Sequence, residues 1–220
     1  MTAINWDSRS KRLYEAGLDR GVLYTRGSPG VPWYGLRSIE ESIDGGEPQP
    51  YYMDGIKYLN IASLEEYKAS ISAINYPKEF NPCDGNAVLA KGLTLTQQER
   101  QSFSLCYRTL VGSDTMALGF GYKLHLIYNA LARPSSRTHA SLQAEPSMEM
   151  FTWECSTKAI PYAGYRPIAH LVIDSRTSTP AYLTKLESYL YGTATRDPML
   201  LDPGQIAATL SGEDVSFEEV

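Results

Sequence analysis

Two long stretches of the chain alternate apolar and polar residues with a period of two. From Ser102 to Val111, Phe103, Leu105, Tyr107, Thr109 and Val111 fall on one side, with Ser102, Ser104, Cys106, Arg108 and Leu110 on the other. From Gly121 to Leu131, Tyr122, Leu124, Leu126, Tyr128 and Ala130 oppose Lys123, His125, Ile127 and Asn129. Alternation of this length predicts paired strands with one packed face and one more polar face. The glycine-rich segment 112–121 would be their hairpin tip. Shorter strands are expected at Gly21–Thr25, 38–44 and Met148–Thr157. Pro32 confines Val31–Leu36 to an edge or a loop. Pro167–Asp174 is almost continuously apolar, which predicts a strand buried on both faces. In Tyr51–Leu59, Asp54-Gly55 supplies a type I′ turn between β-forming flanks. Gln205–Leu210 reads as a last short strand.

Helical spacing appears twice. Ser63-Leu-Glu-Glu66 has the form of a capping box. Leu64, Tyr67, Ile71 and Ile74 then share one face of a helix running to about Asn75, stopped by Pro77. The second helix starts at Thr179-Pro180, carries Tyr182, Leu183, Leu186, Tyr189 and Leu190 as its apolar stripe, and ends at Gly192. A single helical turn is expected at Arg9–Leu13. Residues 132–146 show no apolar period and form a long polar loop between strands, a kind of loop that is usually functional or disordered. No linker divides the chain. The prediction is one mainly β domain over residues 1–220, sandwich or barrel-like, with one or two short flanking helices. An N-terminal arm to about residue 19 and a C-terminal arm over about 195–220 complete it.

Composition narrows the function. The 220 residues carry a formal charge of −5, with a pI near 5.3 and no Lys/Arg run. Nucleic-acid binders concentrate basic residues to neutralise phosphates, so that class is disfavoured. Sixteen tyrosines suit strands and half-wet contact surfaces. The three widely spaced cysteines, Cys83, Cys106 and Cys155, fit a protein folded in a reducing cytosol. No apolar run approaches a membrane span, and the first residues lack the features of a signal peptide.

The common nucleotide, serine-hydrolase and zinc-protease signatures are missing. Gly119-Phe-Gly121 has two glycines of a phosphate loop but neither the third nor a following helix. There is no CxxC, and His125, His139 and His170 are isolated in sequence, so neither a metal nor another cofactor is expected. Cys106 with His125 or His170 would make a nucleophile–base pair for a small cytosolic hydrolase if the strands brought them together. A buried structural thiol is the plainer reading. Glu40 and Glu41 are adjacent on a strand, point to opposite faces, and read as a solvated edge. Asp84 sits in an ordinary turn.

Several phrases occur in order: Asp19-Arg-Gly-Val-Leu-Tyr24, Val31-Pro-Trp-Tyr-Gly-Leu36, Tyr52-Met-Asp-Gly-Ile-Lys-Tyr58, Tyr76-Pro-Lys-Glu-Phe-Asn-Pro-Cys-Asp-Gly85, Tyr107-Arg-Thr-Leu-Val-Gly-Ser-Asp114 and Gly121-Tyr-Lys-Leu-His-Leu-Ile-Tyr-Asn-Ala-Leu-Ala132. With Thr195-Arg-Asp-Pro-Met-Leu-Leu-Asp-Pro-Gly204, this series resembles the major tail tube proteins of long-tailed phages of actinobacteria.

The resemblance implies a virion structural protein without catalytic residues, assembled in the host cytoplasm. Its implied form is a ring of six copies stacked into a hollow tube, with hairpins joining into a barrel around the lumen. Its implied partners are further copies of itself, a tape measure protein, a tail terminator and tail tip proteins, with genomic DNA passing through unbound and no membrane involved. A tail terminator, which caps the tube, is the alternative within the virion. Under this reading Arg133, Ser135, Arg137, His139 and Gln143 are candidates for the inter-ring loop. Ser104, Arg108, Lys123, His125 and Asn129, on the two longest strands, are candidates for the lumen wall. Six chains of −5 give a ring of −30 that would repel passing phosphate, although Arg108, Lys123 and His125 are basic.

Overall fold

The computed structural model describes residues 11–139, 141 and 148–213. Its strands are β1 (Leu13–Thr25), β2 (Val31–Pro32), β3 (Leu36–Asp44), β4 (Pro48–Met53), β5 (Ile56–Ala62), β6 (Glu66–Ala73), β7 (Ala87–Ala90), β8 (Leu93–Leu95), β9 (Phe103–Ser113), β10 (Ala117–Ala132), β11 (Phe151–Thr157) and β12 (His170–Asp174). Two helices follow, α1 (Pro180–Leu190) and α2 (Pro203–Ser211). The fold is mainly β, as the alternation predicts.

Eight strands form one antiparallel sheet in the order β2-β1-β9-β10-β11-β6-β3, with β12 also pairing β10. The two ends of that order are consecutive in the chain, joined through residues 33–35, so the sheet curls back on itself. Trp33 N–H donates to Gly21 O at 2.8 Å. A Cβ on Gly21 would lie 2.2 Å from Leu36 Cδ1, so any larger residue there would have to push the Leu36 side chain aside. Curvature comes from register breaks in β1 beside Gly17 and Arg20, and in β10 beside Asn129; all three have positive φ. The bend in β10 also divides its outer edge. Its middle residues, Lys123–Ile127, pair with β12 and its last residues pair with β11.

Each face of the central strands is covered. Inside the curl lie Leu23, Trp33, Ile71, Phe80, Phe103, Leu105, Ile127 and Trp153. Phe80, on a 3-10 turn at Lys78–Phe80, packs among Trp33, Trp153 and Phe103 with ring centroids 4.7–5.1 Å apart. On the outer face, Val22, Cys106, Leu124, Leu126 and Ile173 meet Leu183, Leu186 and Leu190 of α1 and Ile206 of α2. Two tyrosine hydroxyls on this side reach backbone: Tyr24 donates to Leu190 O at 2.7 Å and Tyr128 to Leu201 O at 3.0 Å.

Several sequence expectations are corrected. Residues 66–73, expected to be helical, form β6 between β3 and β11. Tyr67 and Ile71 are four apart, a spacing that serves both periods. Ala69 and Ala73 complete the buried row of a strand, while Leu64 points into solvent at 94% exposure. Conversely, Gln205–Leu210, expected to be a strand, lies in α2. Asp202 and Gln205 make the true capping box, Pro203 takes the first turn and Gly212 ends the helix at φ 85°. The strand expected at 167–174 is only β12, an edge against β10 whose Val172 is 46% exposed. Leu13, expected to end a helical turn, opens β1; Arg9 and Ser10 lie outside the described residues. Residues 13–19, assigned to an arm, pair with β9, and α2 occupies part of the expected C-terminal arm.

Candidate assembly surfaces

Two hairpins stand apart from the curled sheet. In β4–β5 every residue is exposed, and the turn at Asp54-Gly55 has φ of 50° and 75°, as a type I′ turn requires. Its apolar side chains, Tyr51, Tyr52, Met53, Ile56, Tyr58, Leu59 and Ile61, all face solvent. At its root Gly45 and Gly46 adopt positive φ, and Gly46 N–H donates to Ser63 Oγ at 3.0 Å. Ser63, expected to cap a helix, instead closes the base of this hairpin. The smaller β7–β8 hairpin turns at Lys91-Gly92 and exposes Val88, Leu89, Leu93 and Leu95.

The predicted loop is fastened where it leaves β10. Asp84, expected to be an ordinary turn residue, is a buried acceptor. Trp153 Nε1 donates to it at 3.0 Å, Asn86 Nδ2 at 3.2 Å and Arg100 at 3.4 Å, and the Arg137 guanidinium pairs with its second oxygen. Arg137 also lies over Tyr76 and Phe151, 5.6 and 5.1 Å from the ring centroids. Arg100 adds bonds to the carbonyls of Ala132 and Arg133. Among the five loop candidates, Arg137 is therefore held by its own subunit. Arg133 and His139 are exposed, His139 near Glu149 at 3.1 Å, and Ser135 is half-buried. Gln143 lies outside the described residues.

The five lumen candidates do not share a face. Register places Lys123 opposite Thr109 and His125 opposite Tyr107, toward the interior. Arg108 faces the helix side, where its guanidinium bonds Asp19 at 2.7 and 2.5 Å and lies over Tyr122. Those bonds hold the Asp19 carboxyl below its ordinary pKa. Lys123 pairs with Glu15. Ser104 Oγ accepts from Asn129 N–H at 3.1 Å, steadying the β10 bend. With both faces of β9 and β10 covered, the five make no open wall within one subunit.

The hydrolase pairing does not form. Cys106 is fully buried on the helix side, whereas His125 and His170 lie on the interior side. Burial pushes the Cys106 thiol up to about 12, partly opposed by a hydrogen bond from Tyr191, so no thiolate is available near neutral pH.

The interior face ends in a polar cluster that sequence spacing did not reveal. Along β9 it begins four residues beyond Phe103, about 13 Å from the aromatic core. His125 of β10 and His170 of β12 meet Glu41 of β3, the residue expected on a solvated edge. His125 Nδ1 lies 3.3 Å from His170 Nε2 and 3.4 Å from Glu41 Oε1, and His170 Nδ1 lies 3.4 Å from Glu41 Oε2. Tyr107 stacks on His125 and Tyr67 on His170, each at 4.8 Å, and Tyr107 donates to Glu41. Burial acts against ionisation of Glu41. The neighbouring imidazoles and the bond from Tyr107 outweigh it and bring the carboxyl to about 2. Among the described residues these three side chains could hold a metal ion. No pair of them is close in sequence; only curling of the sheet brings β3 to β10 and β12.

No family profile matches the chain, and no curated protein does. Among solved structures, the chain is similar to one in the cryo-EM structure of the anti-feeding prophage (AFP) baseplate, 6-fold symmetrised. The identity is 9%, covering 78% of this chain and 97% of that one, with a TM-score of 0.37. It is also similar to a chain of the extended PVC sheath-tube complex of an extracellular contractile injection system, at 12% identity over 70% and 88% of the two chains, with a TM-score of 0.31. With identities and TM-scores this low, the functional reading rests on the chain's own residues.

Proposed function

We propose that this protein is a structural subunit of a phage tail tube, built to join copies of itself into stacked rings that conduct DNA. The observation that carries the reading is the β4–β5 hairpin. An isolated two-stranded hairpin is marginal in water. This one presents tyrosines, isoleucines, a leucine and a methionine that are 38–67% exposed. Pairing with the same hairpin of neighbouring copies would cover those side chains and satisfy the free strand edges. The ordered series of tail tube phrases supports the same conclusion, and two of those phrases, 52–58 and 76–85, fall on the hairpin tip and on the turn bearing Asp84.

In this reading the hairpin contributes to the lumen barrel, and the loop beyond Arg137 reaches the next ring. Stacking is a head-to-tail contact that never closes, so it yields an open-ended polymer. Electron microscopy of the purified protein tests this directly. Long tubes of uniform width are expected, and their loss on replacing residues 48–62 by a short Gly-Ser linker. Single rings that never stack would favour the terminator reading, and a protein monomeric at high concentration would overturn both.

A further inference from the structure

We propose that Glu41, His125 and His170 form a binding site for a divalent transition-metal ion of the zinc type, which fastens β3 to β10 and β12. The argument begins with Thr109. Its hydroxyl donates to Glu15 Oε1 at 2.5 Å. A hydroxyl has one proton. Thr109 Oγ1, 3.0 Å from His125 Nε2, must therefore accept from that ring nitrogen. The proton of neutral His125 is thus on Nε2, and the Nδ1 lone pair points into the cluster.

Glu41, His125 and His170 each bring one ligand atom to a common point, all within 4.8 Å of one another. A cation can sit among them. Their spacing suits one. Ligands about 2.0–2.1 Å from a tetrahedral zinc lie about 3.3–3.4 Å apart, as the His125–His170 and His125–Glu41 distances do.

The surroundings of His125 match how such a ligand is supported, its other ring nitrogen giving its proton to the Thr109–Glu15 pair. Glu41 and His170 also line a cleft of about 730 Å³ between β3–β6 and the segment before β12, with Glu65 and Glu66 on its wall. The cleft offers an entry path and room for a water as fourth ligand. It lies where β10 parts from β11 and β12 takes its edge, so the ion would tie the sheet together there.

Cobalt(II), a spectroscopic stand-in for zinc, tests the site on the full-length chain, and the outcome does not depend on the tube reading. One Co²⁺ per chain is expected, with the visible absorption of a four-coordinate nitrogen/oxygen site, displaced by Zn²⁺. His170→Gln and Glu41→Gln should each weaken uptake at least tenfold, and His139→Ala should leave it unchanged. Thr109→Val, which touches no ligand atom in the site, should weaken it about 10- to 100-fold through the lost support of His125. If the folded protein takes up no Co²⁺ at submillimolar concentration, or if His170→Gln binds it as the parent does, the proposal fails.

Discussion

The curled sheet and the β4–β5 hairpin are built from the same residue types and differ in what they are given to pack against. On β9 and β10, Tyr107, Tyr128 and Ile127 are at most 2% exposed, between a sheet folded over one face and helices over the other. On β4 and β5, Tyr52, Tyr58 and Ile56 are 65–67% exposed. In the sheet two of these hydroxyls are used, Tyr128 toward Leu201 O and Tyr107 toward Glu41. Alternation and β-propensity therefore make strands in both regions, while burial separates an element that holds the subunit together from one left over for joining subunits.

That contrast breaks most sharply at Trp153. Its indole is fully buried between Phe80, Trp33 and Tyr76 and donates to Asp84. Trp153→Ala should cost about 3–5 kcal/mol, roughly 6–20 °C in thermal midpoint by calorimetry. A loss under about 1 kcal/mol would mean the interior is not the stabilising region. Next comes Asp84→Ala, which strands Arg137 and the Trp153 N–H. About 3 kcal/mol is expected, with faster protease cleavage within residues 133–139 as the loop comes off its anchor.

A smaller effect is expected from acid. The folded pKa of Asp19 lies below its ordinary 3.8 because of Arg108. Its contribution is complete above that value and is lost as pH falls through the folded one. Asp19→Asn should flatten the stability profile below about pH 4, modestly, because the pair is partly exposed. The smallest change in stability should come from Tyr52→Ser, Ile56→Ser and Tyr58→Ser together, no more than about 0.5 kcal/mol per site. The same triple variant should abolish polymerisation measured by sedimentation. If instead it unfolded the monomer, the division between the two regions would be wrong.

Much of the fold could be read in the chain. The long alternations at 102–111 and 121–131 are β9 and β10, Asp54-Gly55 makes the hairpin turn, and Thr179-Pro180 opens α1. The errors have physical causes. Ser63 has the chemistry of a cap, and a serine hydroxyl next to a glycine pair closes a hairpin root equally well. Tyr67 and Ile71 fit both periods, and the gap between β3 and β11 selected the strand. Asp202 and Gln205 form a capping box, although the residues after Gln205 have a β-like pattern. Asp84 carries no local signal of burial, since its partners Arg100, Arg137 and Trp153 come from distant segments.

The sequence by itself determined the period of most elements, their turns, the acidic balance and the ordered phrases that resemble a tail tube protein, because these depend on neighbours within a few residues. Tertiary structure alone decided which tyrosines are core and which are surface, that Cys106 and the histidines face opposite ways, and that Glu41, His125 and His170 meet. Those outcomes depend on how a sheet with three bends closes on itself, and no local stretch of chain encodes that closure.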